Sequence, residues 1–149
     1  MRTCSGTLRI LASVVFFLGM AASAQAAGDS AQAREALRKG DEATQRKDYA
    51  TALRWYRQAA ESGNAEAQDN VGFFYLTGMG VKKDAAEGAR WLRKAAAQGN
   101  EVAERNLGVM YLQGIGVPRD RKQGIRWLRK AAAHGDEESK AALKSLGVR

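Results

Sequence analysis

The residues best suited to covalent or metal chemistry are nearly absent from this sequence. It holds one cysteine, Cys4, and one histidine, His134. Zinc sites draw several Cys or His ligands at short spacing, and a Cys–His nucleophile needs both partners side by side, so neither is expected. Asp and Glu are scattered among bases, with no pair at a fixed site for general acid–base work. Glycines fall at turns, and no phosphate-binding loop occurs. No catalytic residue, metal or cofactor is expected. What recurs is cationic. Arg54, Arg57, Arg90, Arg93, Lys94, Arg126, Arg129 and Lys130 return at i, i+3 and i+4 spacing, which sets them on one side of each helix. Lys82, Lys83, Arg119, Arg121 and Lys122 add charge in adjoining stretches. Such a ridge suits an acidic protein surface, an acidic polysaccharide or anionic headgroups. It equally suits a solvated face whose long stems cover apolar helix flanks.

The elements that carry these residues form a repeat. Trp55, Trp91 and Trp127 are spaced by 36 residues, as are Gly63, Gly99 and Gly135. Gly72 pairs with Gly108, Tyr75 with Tyr111, Gly78 with Gly114, and Gly80 with Gly116 at the same offset. Each period splits into two helices. Ala67, Val71, Phe74 and Tyr75 form an apolar stripe, repeated by Ala103, Leu107, Met110 and Tyr111. Ala89, Leu92, Ala95 and Ala96 line the second helix with Trp91, and Ala89 becomes Ile125 in the next copy. The three tryptophans, locked to the period, are expected in the core. Asn64, Asn100, Asp136, Asp84 and Asp120 stand where N-caps belong. Val81 and Val117 are expected to tuck back onto their helix pairs. Gly72 and Gly108 sit mid-helix at a cost of about 1 kcal/mol against alanine, which implies close approach of a partner helix. The expected pairs are 31–47 with 49–62, 65–77 with 85–98, and 101–113 with 121–134, closed by a helix at 137–146.

Composition agrees. Hydrophobic residues are 45%, charged residues 27%, and proline occurs once in 149 residues, which favours an all-helical globular chain. The start differs. Arg2 and Arg9 precede the apolar run from Ile10 to Met20, and Ala22-Ser23-Ala24-Gln25-Ala26 offers two A-x-A sites. This reads as a cleavable signal peptide over 1–26, cut after Ala26 or Ala24, leaving a repeat domain over 27–149. The run is too short for a membrane span, which needs about 20 apolar residues. Cleavage removes the single cysteine, and lowers 24 basic residues to 22 against 16 acidic, so +8 becomes +6. Export to the periplasm is expected, with secretion as the alternative, and nucleic acid is not an expected partner.

Two stretches carry A-x-A-x-x-x-L-G-x-x-Y, then G-x-G-V-x-x-D, then W-x-x-K-A-A-x-x-G, at Ala65 to Gly99 and Glu101 to Gly135, with Val71 in place of the leucine. This pattern resembles the Sel1-like repeat family of α/α solenoids. Gly40, Asp48, Tyr49, Ala52, Tyr56 and Ala59 resemble a tetratricopeptide repeat whose link lacks the G-x-G loop. In the last helix only Leu143 keeps its place; Lys144 replaces the glycine and Gly147 the tyrosine, as in a polar cap.

The resemblance implies a superhelical solenoid of three helix pairs and a capping helix, acting as a non-catalytic protein-interaction adaptor or regulator in the bacterial envelope. By analogy with tetratricopeptide repeats, the first helices form a concave groove presenting Glu66, Asp69, Asn70, Phe73 and Thr77, then Val102, Arg105, Asn106, Val109 and Gln113. Phe73 is off its helix's apolar stripe, fit to anchor a peptide or to pack on Val109. Asn70 and Asn106 could clamp a peptide backbone or bond a neighbouring loop. The alternative function is a polyanion scaffold using the ridge. A remote one is β-lactam hydrolysis, described for disulfide-rich relatives; this chain lacks their paired cysteines and any S-x-x-K motif.

Overall fold

The computed structural model describes residues 30–148; the expected signal peptide lies outside them. The described residues are helical, without strands. Helix α1 covers 30–45. It is followed by α2 (Tyr49–Glu61), α3 (Ala65–Thr77), α4 (Ala85–Ala97), α5 (Glu101–Gln113), α6 (Arg121–Ala133) and α7 (Glu137–Ser145). From α2 to α7, helices pack chiefly on their neighbours in sequence, the signature of a stacked solenoid. Among the described residues, no helix is long and apolar enough to cross a membrane.

The caps act as their sequence suggests. Asn64 and Asn100 each accept a backbone N–H three residues on, from Ala67 and Ala103, at 2.8 Å. Asp84 and Asp120 do the same for Glu87 and Gln123 at 3.0 Å. Each bond satisfies one of the orphan donors at a helix start. Four helices end one residue earlier than expected, at Glu61, Ala97, Ala133 and Ser145, and α1 ends at residue 45 rather than 47. Ser62, Gln98, His134 and Leu146 are C-caps whose N–H groups still bond back into the helix. That is why side-chain periodicity runs through them.

Glycine sets the helix crossings. A Cβ on Gly72 would lie 2.8 Å from Leu92 Cγ and 3.1 Å from the Gly88 carbonyl oxygen. One on Gly88 would meet the Gly72 oxygen at 2.9 Å. The next repeat copies this with Gly108, Gly124 and Leu128. The two backbones touch, so both mid-helix glycines are required despite their cost in propensity.

Two apolar clusters fill the stack. The first joins Leu53, Tyr56, Val71, Phe74, Tyr75 and Trp91, with the Tyr56 and Phe74 rings edge-to-face at 5.4 Å. The second joins Leu92, Leu107, Met110 and Val117. Val117 is buried and Val81 packs on the first cluster, as expected of the loops. The tryptophans divide: Trp91 is buried, whereas Trp55 and Trp127 are only partly covered.

Candidate functional site

On α3 and α5 the face opposite the buried stripe carries the residues assigned to a groove. Glu66 and Thr77 are exposed, and Asp69 and Asn70 are half-buried. On α5, Gln113 is exposed, and Val102, Arg105 and Asn106 are half-buried. Phe73 is 46% exposed and Val109 37%, large hydrophobics left in water at equivalent positions of successive repeats.

The polar members are tied across elements. Asn106 Nδ2 donates to Asp69 Oδ1 at 3.4 Å, linking α5 to α3. Arg105 reaches forward to Asp136, the N-cap of α7, at 2.5 Å and to Glu138 at 3.1 Å. Asn106 and Arg105 therefore already brace the stack. Burial pushes the Asp69 carboxyl up to about 6, against the pull of the Asn106 amide and the Arg105 charge.

A raised carboxyl value means the folded chain holds this proton more tightly than the unfolded chain. The resulting stabilisation is complete below about pH 4 and lost as pH rises through about 6. Asp69→Asn, which mimics the protonated form, is expected to flatten that part of the stability profile. It should also add about 1 kcal/mol near neutrality. Urea unfolding on either side of pH 6 checks this; a variant as pH-dependent as the parent would contradict it.

All eight ridge cations are exposed, but several are engaged with aromatic rings. Arg57 Nη2 donates to the Tyr75 hydroxyl at 2.8 Å, its guanidinium 5.7 Å from the ring centre. Arg93 repeats this on Tyr111 at 3.1 and 5.9 Å. Lys94 lies 4.0 Å over Trp91 and Lys130 4.5 Å over Trp127. Arg54 donates to the Thr51 hydroxyl, and Arg90 pairs with Glu87 at 3.3 Å. Arg126 and Arg129 stand on the outer side of α6, with Arg121 donating to the Leu146 carbonyl at 3.2 Å. The cations thus cover the rings of the repeat while still presenting charge.

One recurring feature escapes sequence reasoning. Gln98 Nε2 donates to Gln68 Oε1 at 2.8 Å, and Gln68 Nε2 donates to the Ala60 carbonyl at 3.1 Å. The next repeat places Glu104 and His134 in these positions, with the imidazole Nδ1 2.7 Å from Glu104 Oε2. Glu104 is 1% exposed. His134, whose equivalent in the preceding repeat is Gln98, is the partner of a buried carboxyl group. The common spacing of 30 residues in both pairs was the available signal.

Helix pairs copied at a fixed period, each packed on its neighbours, define the chain as an α/α solenoid with a peripheral polar network. The family model of the Sel1 repeat matches residues 29–64, 65–100 and 102–136, and the chain belongs to the Sel1 repeat family. The first match extends the repeat over the segment that resembles a tetratricopeptide repeat. A Sel1 repeat protein from Oxalobacter formigenes is similar in structure, at 42% identity and a TM-score of 0.63, over 65% of this chain and 28% of that one. So is c5321, a protective antigen of uropathogenic Escherichia coli strains displaying an SLR fold, at 40% identity and 0.63, over 67% and 22%. Helicobacter pylori cysteine rich protein B shares the fold at 22% identity and a TM-score of 0.61, over 74% of this chain and 94% of that one. This chain therefore spans between a fifth and a third of the length of the first two. A search of the curated proteins gives no match. Sel1 repeat proteins are generally protein-interaction modules.

Proposed function

We propose that this protein is an exported, non-catalytic adaptor or regulator that binds a protein or peptide of the bacterial envelope on its first-helix face. The observation that carries the reading is the pair Phe73 and Val109. Both are large, apolar and exposed, they recur at the repeat period, and neither belongs to a core cluster. Apolar side chains exposed side by side on a rigid scaffold mark an interaction surface, and the aromatic Phe73 is its natural anchor. Half-buried Asp69, Asn70 and Asn106 supply a polar rim. The signal-peptide pattern at the start of the chain supports a periplasmic location, with secretion as the alternative. Similarity to a protective antigen also fits an exported protein.

The polyanion reading has weaker support. The ridge is exposed, but Arg57, Arg93, Lys94 and Lys130 are already placed against rings.

Affinity capture from envelope extract, followed by mass spectrometry, tests the adaptor reading. The protein should recover an envelope partner, and Phe73→Ala with Val109→Ala should weaken recovery at least about tenfold. Equal recovery by parent and variant would contradict the site. Failure to recover any envelope protein would count against the adaptor role.

A further inference from the structure

Gly80 and Gly116 seat each inter-helix loop on the start of an earlier helix. A Cβ on Gly80 would stand 2.5 Å from the Tyr49 carbonyl carbon and oxygen, and one on Gly116 would be closer still to those of Ala85. Tyr49 begins α2 and Ala85 begins α4, so the α1–α2 link, the α3–α4 loop and the α5–α6 loop form one continuous edge of the stack. Along it Lys47, Lys83 and Arg119 recur at the 36-residue period, with Lys82, Arg121 and Lys122 beside them, all exposed. Arg119 and Arg121 each donate one N–H to a carbonyl, of Leu112 and of Leu146, out of the five that a guanidinium carries. The acidic residues of this edge are already engaged. Asp48, Asp84 and Asp120 accept the backbone N–H groups of Thr51, Glu87 and Gln123 at the positive ends of α2, α4 and α6, and Glu87 pairs with Arg90. The opposite edge, where each second helix turns into the next first helix, exposes Glu61, Glu66, Glu101, Glu137 and Glu138. Among the cations of the α5–α6 loop stands Ile115, which is 40% exposed. Met79, its counterpart one period earlier, packs on the first apolar cluster, whereas Ile115 belongs to neither cluster.

We propose that this loop edge rests on an anionic phospholipid bilayer, with Ile115 inserted among the headgroups. Each lysine or arginine close to such a surface strengthens binding by a factor of about five, so cations that are individually weak add up along an edge. A buried Ile115 reaches the boundary between headgroups and acyl chains, as the apolar residues of interfacial segments do. A dissolved acidic polymer meets the cations but gives Ile115 nowhere to leave water, which favours the bilayer. The acidic opposite edge is repelled by the same surface and sets the orientation. The solenoid then stands on its loops and leaves the face of Phe73 and Val109 open to a partner. This attachment does not depend on the adaptor reading.

The test reads the edge itself in the full chain. Cys4→Ser removes the native thiol, and Pro118→Cys, exposed in the same loop as Ile115, carries a nitrobenzoxadiazole label whose emission rises and shifts blue in lipid. Vesicles of phosphatidylglycerol and phosphatidylcholine in equal parts should give a saturating response. It should be half-complete at a lipid concentration on the order of 0.1 mM and weaken in high salt. Pure phosphatidylcholine should require at least about tenfold more lipid. The label moved to Glu101→Cys, on the opposite edge, should not respond, so the apolar run at Ile10 to Met20 cannot imitate the result by holding the chain on lipid. Lys82→Glu, Lys83→Glu and Lys122→Glu together should raise the half-point at least about tenfold, and Ile115→Asp about fivefold. Arg93→Glu, Lys94→Glu and Lys130→Glu make the same change of charge on the ridge and should raise it less than about twofold. Circular dichroism would show that these variants keep the fold. Phe73→Ala with Val109→Ala should respond like the parent, so this edge and the partner face stand or fall separately. The proposal is overturned by an equal response to neutral vesicles, by an unchanged response in the edge or Ile115 variants, or by an equal loss in the ridge variant. It is equally overturned if soluble polyglutamate gives the same emission change, which would make an acidic polymer the occupant.

Discussion

Gly116→Ala is expected to cost about 3 kcal/mol and to uncouple the last helices from the stack. Gly116 has φ of 65°, in the left-handed region, where a side chain is strained by about 1–3 kcal/mol. Its Cβ would also stand 2.2 Å from the Ala85 carbonyl oxygen and 2.4 Å from the carbonyl carbon. That neighbour is backbone at the start of α4 and cannot rotate away, so overpacking adds another 1–3 kcal/mol or so. The contact lies between repeats: the α5–α6 loop seats on the helix of the preceding pair. Weakening one interface of a solenoid lowers cooperativity as well as stability. Urea unfolding should shift to lower midpoint and broaden, and amide exchange should speed up first in α5, α6 and α7. Gly135→Ala is the control. It also has positive φ, at 103°, but no atom within 4 Å of its Cβ, so only conformational strain applies. Equal losses at the two positions would contradict the account of the interface.

His134→Ala is expected to cost about 1–3 kcal/mol, because it leaves the buried Glu104 carboxyl group without its imidazole. The imidazole itself is half-exposed, so its own packing contributes little. The preceding repeat indicates the remedy. Glu104→Gln combined with His134→Gln recreates the Gln68–Gln98 pair, in which the amide also reaches a backbone carbonyl of the helix before it. The double variant should recover most of the loss. The coupling is read from a double-mutant cycle in urea. Additive effects, with the double variant as weak as the sum of its parts, would show that the two side chains do not act as a pair.

These two sites mark the limits of reading the sequence. The helices, their caps and the Gly72 and Gly108 crossings were legible because each is a local signal copied at a fixed period. Copying makes a weak cue, such as a mid-helix glycine, hard to mistake. Contacts that bridge repeats were less legible. Arg57 to Tyr75 spans 18 residues and Gln68 to Gln98 spans 30, so neither follows from the helical period or from the repeat period. The ridge cations are exposed, and their engagement with rings depends on how successive helices stack. The first-helix face was legible as a set of positions. That Asp69 is buried enough to hold its proton to about pH 6, and that Arg105 is tied to Asp136, required the packed structure.

The central claim is that Phe73 and Val109 lie at the centre of the partner-binding face. Hydroxyl-radical footprinting of the protein, alone and saturated with its captured envelope partner, tests it most directly. In the free protein Phe73 and Val109 are exposed and should be oxidised readily. The account predicts that the partner protects both, while the half-covered Trp55 and Trp127 beside the ridge keep their reactivity. Protection of Trp55 and Trp127, with Phe73 and Val109 still oxidised at the free rate, would contradict it and move the binding surface to the basic ridge.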